Sequence, residues 1–386
     1  MRPFPAFGSL GALSAACGAL LLTVSACSGS SATAGPGSGA FGPCGTSIEE
    51  LRDAALKEGA LTLLASPREW AGYGELMDSF TKDYGIEISS IYPDATSGDE
   101  LTLLRTWRNN PARPDVADLS PEAANVAANE GLLTPYESSN SDSIPAAFTS
   151  PDGSWQSSYV GVTSMGVETS SVSRPPTSWA DLLLPEYRGM VTLNGDPRES
   201  GSAAGAVVAA ALANGGSLDD VTAGIDYFAR LQAAGNLNLT EYSTSNLLYG
   251  EVPIGLDWNF TFRGNEDALS ERGLRYTVSQ PTDGVIVAPY AQGISATAPH
   301  PCAARLWVEY LNSDEAVAIR SSVGVISTRL DALADDAGLS SDGRRIVSGI
   351  QDGTIAIPTA EQWEAIHATI DAEWGPAVID VRQSTP

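Results

Sequence analysis

The chain has 386 residues, 47 acidic and 21 basic, for a net charge of -26. So acidic a surface disfavours nucleic acid and anionic membranes as partners and fits the solvated exterior of an exported protein. Hydrophobic content of 43% is ordinary for a globular protein, and past the N-terminal segment no stretch offers the roughly 18 apolar residues of a membrane span.

The first residues set the compartment. Arg2, an apolar run from Leu10 to Val24 and small residues before a cysteine describe a secretory signal, too short for a convincing span. The run Leu21-Leu22-Thr23-Val24-Ser25-Ala26-Cys27 resembles a bacterial lipobox. That resemblance implies a signal peptide at 1–26 and a Cys27 that carries acyl chains such as palmitate, anchoring the chain on the extracytoplasmic face of the cell membrane. The alternative is an ordinary signal with Cys27 incidental. Residues 28–43 are almost wholly Gly, Ser, Ala, Thr and Pro, so 27–45 reads as an acylated cysteine and flexible tether. Cys17 leaves with the signal, which leaves Cys44 and Cys302 as a pair. A disulfide is the natural state in an exported protein, with two unpaired thiols the alternative.

From Ser47 the pattern alternates. Ser47 with Glu49 and Glu50 opens a helix through Lys57, and Gly59 ends it. Ala60–Ala65 is a short apolar run suited to a buried parallel strand, and Trp70 to Tyr84 returns to helical spacing. Ile86, Ile88 and Ile91 mark a strand, Asp99–Arg108 a helix, Asp115–Leu119 a strand and Pro121–Glu130 a helix. A second block begins near Tyr159. It holds a strand at Met190–Leu193, helices at Ser202–Ala213 and Asp219–Ala234, and a strand at Val252–Leu256. Ser270–Tyr276 leads into a strand at Val285–Val287; helices follow at Pro301–Leu311, Ser313–Ser321, Gly343–Gln351 and Glu361–Glu373. Repeated strand and helix alternation gives an α/β fold with helices on the sheet faces.

Several phrases in order carry a family resemblance. They include Phe80–Ile88 (FTKDYGIEI), Gly131–Tyr136 (GLLTPY), Thr177–Leu182 (TSWADL), Pro185–Gly189 (PEYRG), Asp196–Gly201 (DPRESG), Gly250–Ile254 (GEVPI) and Ala303–Ala316 (AARLWVEYLNSDEA). Behind a lipobox, these make the chain similar to the solute-binding lipoproteins of bacterial ABC importers, in the group of iron, polyamine, thiamine and phosphonate receptors. The resemblance implies a two-lobed, type II periplasmic-binding-protein-like α/β fold, each lobe a mixed sheet flanked by helices, with a ligand cleft between them. Lobe 1 would hold 46–158 plus 285–322 and lobe 2 would hold 159–284 plus 323–386. Cys44 and Cys302 then share lobe 1.

Ligands of open α/β sheets sit at the carboxyl ends of strands. That rule selects Ser66, Tyr92, Ser97 and Asp118 in the first block, and Ser200 and Ser202, where helix capping is the competing role. Iron-binding relatives carry an adjacent tyrosine pair after the Gly-Glu-Val-Pro-like strand. Here Asp257, Trp258, Asn259 and Phe260 stand in that place, and Trp and Phe supply no anionic oxygen for ferric ion. An acid beside an indole suits an ammonium group, the alternative being that Trp258 only packs and Asp257 caps a turn. Tyr242 and Tyr290 complete the set.

The expected partners are a small polar solute and ABC permease subunits in the membrane, for a protein acting as a monomer without cofactor or metal. A polyamine-like amine leads, with a phosphonate or other small anion next. With only two histidines, His300 and His367, and no base, nucleophile or metal-ligand spacing, the sequence does not read as an enzyme. A solute-sensing lipoprotein that signals to a membrane kinase or receptor is the alternative role.

Overall fold

A computed structural model describes residues 42–239, 242–334 and 339–380. The expected signal peptide, the acylated Cys27 and nearly all of the tether lie outside the described residues. The strands are β1 (Ala60–Leu64), β2 (Glu87–Ile91), β3 (Val116–Leu119), β4 (Leu133–Thr134), β5 (Gln156–Glu168), β6 (Val191–Leu193), β7 (Leu237–Asn238), β8 (Ile254–Trp258), β9 (Tyr276–Ser279), β10 (Val287–Ser295) and β11 (Ile326–Ser327). The helices up to β8 are α1 (Ile48–Glu58), α2 (Tyr73–Tyr84), α3 (Ser97–Thr106), α4 (Pro121–Asn129), α5 (Gly201–Ala213), α6 (Thr222–Ala233) and α7 (Thr244–Leu248). After it come α8 (Asn259–Gly264), α9 (Glu266–Glu271), α10 (Pro301–Leu311), α11 (Asp314–Ser322), α12 (Leu330–Ala334), α13 (Ser341–Gln351) and α14 (Ala360–Trp374).

Local chemistry explains most boundaries. Ser47 caps α1 by accepting the Glu50 amide at 3.3 Å, and Gly59 ends it in the left-handed conformation, at φ 72°. Thr96 and Asp99 form a reciprocal capping box on α3, and Thr359 and Gln362 do the same on α14.

The sheet runs β2-β1-β3-β10-β5-β8-β6-β7. At each end the pairs are parallel, β1 with β2 and β3, and β6 with β7 and β8, while the middle is antiparallel. β5 links the two ends. Its residues Gln156–Val162 pair with β10, and Thr163–Val167 pair with β8, so its partner changes between Val162 and Thr163. The sequence pattern suggested no strand of this length. All of β5 is buried, and Gln, Ser, Thr and Gly within it conceal the apolar run that marked the shorter strands.

Cys44 and Cys302 form the expected disulfide, with Cα atoms 5.5 Å apart and 258 residues between them in sequence. It ties the start of the described chain to the first turn of α10. Glu58 at the end of α1 reinforces that junction, its carboxylate accepting the amides of Cys302 at 3.0 Å and Ala303 at 2.8 Å. Asp115 works similarly beside β3, accepting the Thr62 amide at 2.8 Å and the His300 amide at 2.6 Å. The core around α10 is aromatic: Trp307 is fully buried, edge-on to Phe80 at 5.1 Å and stacked on Tyr310 at 5.7 Å. Replacing both cysteines by serine is expected to cost about 2–4 kcal/mol in urea unfolding. Solute affinity should not change, because neither cysteine lines the cleft described next.

Candidate solute cleft

A cleft of about 2100 Å³ opens at the carboxyl ends of β1, β2 and β3 on one side and β6, β7 and β8 on the other. It exceeds the roughly 300–1,000 Å³ of a small-ligand pocket, so a small solute occupies only part of it. Three non-glycine residues with positive φ border it. Ala65 at 53° ends the β1 turn, Ala71 at 48° follows Trp70, and Tyr92 at 46° precedes the lining residue Pro93. Strain of this kind, about 1 kcal/mol or more per residue, gathers where a loop must present a side chain in a fixed direction.

The floor is aromatic. Trp70 stands edge-on to Phe260 at 4.7 Å and to Tyr290 at 5.7 Å, and its Nε1 donates to the Tyr159 hydroxyl at 2.9 Å. Tyr159 stacks on Tyr290 at 5.3 Å. Trp258 donates from Nε1 to the Tyr290 hydroxyl at 2.9 Å, so both indole N–H groups are satisfied within the protein. The Trp258 ring fits a slot that glycine alone permits: a Cβ on Gly161 of β5 or Gly205 of α5 would stand 2.6 Å from it. Trp258 therefore both packs between sheet and helix and lines the cleft.

Asp118 is the carboxylate of the floor. It is 5% exposed, accepts the Tyr159 hydroxyl at 2.7 Å and also accepts the Gln292 side-chain amide. Gln292 in turn accepts the Ser158 amide at 2.8 Å. Arg320, fully buried behind Tyr159, lies 4.4 Å from that ring and donates to the Ser158 hydroxyl at 2.7 Å. Burial pushes the Asp118 carboxyl above its ordinary range, opposed by the hydrogen bonds from Tyr159 and Gln292.

Of the residues expected from sequence, Ser97, Asp118, Ser200, Ser202, Tyr242, Trp258 and Tyr290 line this cleft. Ser66, Tyr92 and Asp257 stand outside the lining. Ser66 is 3% exposed and donates to the Leu64 carbonyl, whereas Tyr92 is 52% exposed and meets Trp107 edge-on at 5.5 Å. Asp257 lies beneath the surface at 1% exposure, accepting Asn194 Nδ2 at 2.9 Å and the Trp258 amide at 2.7 Å. It holds the β6 loop against β8 instead of facing the cleft. Ser200 caps α5 through the Ala203 amide, so the capping role holds for a residue that also lines the cleft.

Trp70, Glu100, Glu122, Arg198 and His367 line the cleft without having been selected from sequence. Trp70 was legible, since it follows the β1 turn. Glu122 and His367 were not: His367 Nε2 lies 3.5 Å from Glu122 Oε1 and joins α14 to α4, elements far apart in the chain.

Two sheet halves sharing a long central strand, with lining loops at the carboxyl ends of both, define a type II periplasmic binding fold, a class of solute receptor. Profile comparison agrees. The description "bacterial extracellular solute-binding protein" matches residues 113–342, and the chain belongs to that family. The spermidine/putrescine-binding periplasmic protein of Escherichia coli (strain K12) is 26% identical over 297 residues, covering 71% of this chain and 81% of its own. A spermidine/putrescine ABC transporter substrate-binding protein from Streptococcus pneumoniae superposes with a TM-score of 0.60 at 16% identity, covering 83% of this chain and 99% of that one. A periplasmic binding protein from Actinobacillus pleuropneumoniae, with fructose-6-phosphate bound, gives 0.59 at 19% identity, covering 83% and 98%. This protein is thus, by family, an extracellular solute-binding protein, a class of binding proteins and not of enzymes. Among the described residues no helix is long and apolar enough to cross a membrane.

Burial pushes Asp257 from 3.8 up to about 6, opposed by hydrogen bonds from the Trp258 amide and Asn194. The folded chain therefore holds this proton more tightly than the unfolded chain. Its contribution to stability is full below the unfolded value and is lost as pH rises towards the folded one. The stability of wild type relative to Asp257→Asn is expected to fall by about 2 kcal/mol between pH values of about 4 and about 6, measured by denaturant unfolding across that range.

Proposed function

We propose that this chain is a lipid-anchored, monomeric receptor that captures a polyamine-like amine and presents it to an ABC permease. The carrying observation is the floor of the cleft, where Asp118 and Trp70 share the Tyr159 hydroxyl and Tyr290 stands beside them. A carboxylate bordered by aromatic faces and buried from water suits an organic ammonium: charge pairs with charge, and the methylene stem packs on the rings. The wider lining agrees. Eleven acidic residues and a single arginine line the cleft, and that arginine, Arg198, is already paired with Asp196 at 2.5 Å. Glu122 Oε2 is buried without a hydrogen-bond partner among the described residues, an acceptor suited to a second ammonium group.

The sheet halves on either side of the partner change in β5 serve in this reading as the two lobes, 46–158 plus 285–322 and 159–284 plus 323–386. A solute that touches both stabilises the closed form, which the permease recognises. The lipobox at Cys27 keeps the receptor beside its permease.

One observation favours the anionic alternative. The N-terminus of α5 faces the cleft with Ser200 and Ser202 and carries no acid in its first turn, unlike α3 and α4. Calorimetric titration with putrescine, spermidine, an aminophosphonate, a sugar phosphate and ferric citrate separates these readings. The amines are expected to bind, and Trp70→Ala and Asp118→Asn each to weaken binding roughly tenfold or more. Binding of the phosphorylated compounds alone would replace the amine by an anion. Cys27→Ser is expected to move the protein from the detergent phase to the aqueous phase on partitioning of cell extracts; unchanged partitioning rules out the anchor.

A further inference from the structure

The floor of the cleft holds a second carboxylate beside Asp118. Glu100, on α3, is 1% exposed and lines the cleft, and its Oε1 accepts the backbone amide of Asp118 at 3.1 Å. Neither carboxylate has an ion pair among the described residues. The guanidinium behind them, on Arg320, donates to the Ser158 hydroxyl and faces the ring of Tyr159, and its charge favours the ionised form of Asp118 and not of Glu100. Two like charges this deeply buried repel strongly, which favours a proton on one of them. The hydrogen bonds decide which. Asp118 accepts from Tyr159 and Gln292, hydrogen bonds that favour its charged form against the burial. Burial first, and then the neighbouring Asp118 charge, push Glu100 well above the ordinary carboxylate range.

The groups around Glu100 leave it no other counter-ion. Ser97 and Asp99 share its helix, Tyr73 faces it from α2 and Asp118 from β3. Tyr159 on β5 and Arg320 on α11 stand behind Asp118, and Glu122 on α4 adds a further acid to the cleft wall.

We infer that Glu100 and Asp118 share one proton in the empty receptor and that an ammonium group bound between them displaces it, so that solute capture releases a proton. The exchange balances: the Glu100 carboxylic acid and a protonated amine become a carboxylate–ammonium pair, and the proton leaves to water. Glu100 is thereby a second solute carboxylate, and the inference rests on the amine reading above.

Titration calorimetry with putrescine near neutral pH, in two buffers of different ionisation enthalpy, tests it. The amino groups of the diamine stay protonated under those conditions, so any proton released comes from the protein. The apparent heats are expected to differ by the equivalent of close to one proton per solute, and affinity to rise with pH by up to tenfold per unit. Glu100→Gln is expected to abolish both dependences. Infrared difference spectra of the wild type should lose a protonated-carboxyl band when putrescine is added, a measurement that needs no variant. Binding with identical heats in the two buffers would overturn the exchange and leave the amine reading intact. Proton release that persists in Glu100→Gln would assign the proton to another group and overturn the role of Glu100. Absence of putrescine binding would remove the amine reading and this inference together.

Discussion

The structure depends on one strand having two sets of partners. Every residue of β5 is buried, so each backbone N–H and C=O along it must be satisfied by a neighbouring strand. The first part is paired by β10 and the second by β8, and the parallel strands to either side follow from those two choices. Because the sheet reverses direction at this strand, the carboxyl ends of β1 to β3 and of β6 to β8 converge on one cleft. The slot for Trp258 depends on the same strand, through Gly161 close to the partner change.

From β5 and β10 the cleft also inherits its polar floor. Ser158 and Tyr159 on one and Gln292 on the other connect buried Arg320 to Asp118 through hydrogen bonds and a cation–π contact. A buried carboxylate without such donors would simply take a proton. Here two of them sit together with unequal support: Asp118 is held by side-chain donors from β5 and β10, and Glu100 by a backbone amide. That asymmetry distinguishes the two carboxylates of the acidic floor.

Much of the framework was legible. Short apolar runs between amphipathic segments marked β1, β3 and β6, and caps such as Ser47, Gly59 and Pro301 placed helix ends because they act on adjacent amides. Loops after strands were legible as candidate cleft loops, and Ser97, Asp118, Ser200 and Ser202 chosen on that rule line the cleft. Asp257 was misjudged for a different reason. Its place at the end of β8 was right, but the pleat turned its carboxylate to Asn194 beneath the cleft surface. Glu100 was not singled out in the sequence, and its burial against β3 comes from the tertiary fold.

The sequence by itself determined the alternation of strand and helix, the cysteine pair that forms the disulfide and the family. These rest on local periodicity, short motifs and ordered phrases, all of which survive in one dimension. Tertiary structure alone decided that β5 is shared between two halves, that Trp258 has a glycine slot, and that Glu100 meets Asp118. Each of those joins residues far apart in the chain, or fixes which face of an element is buried, and no local rule carries that information.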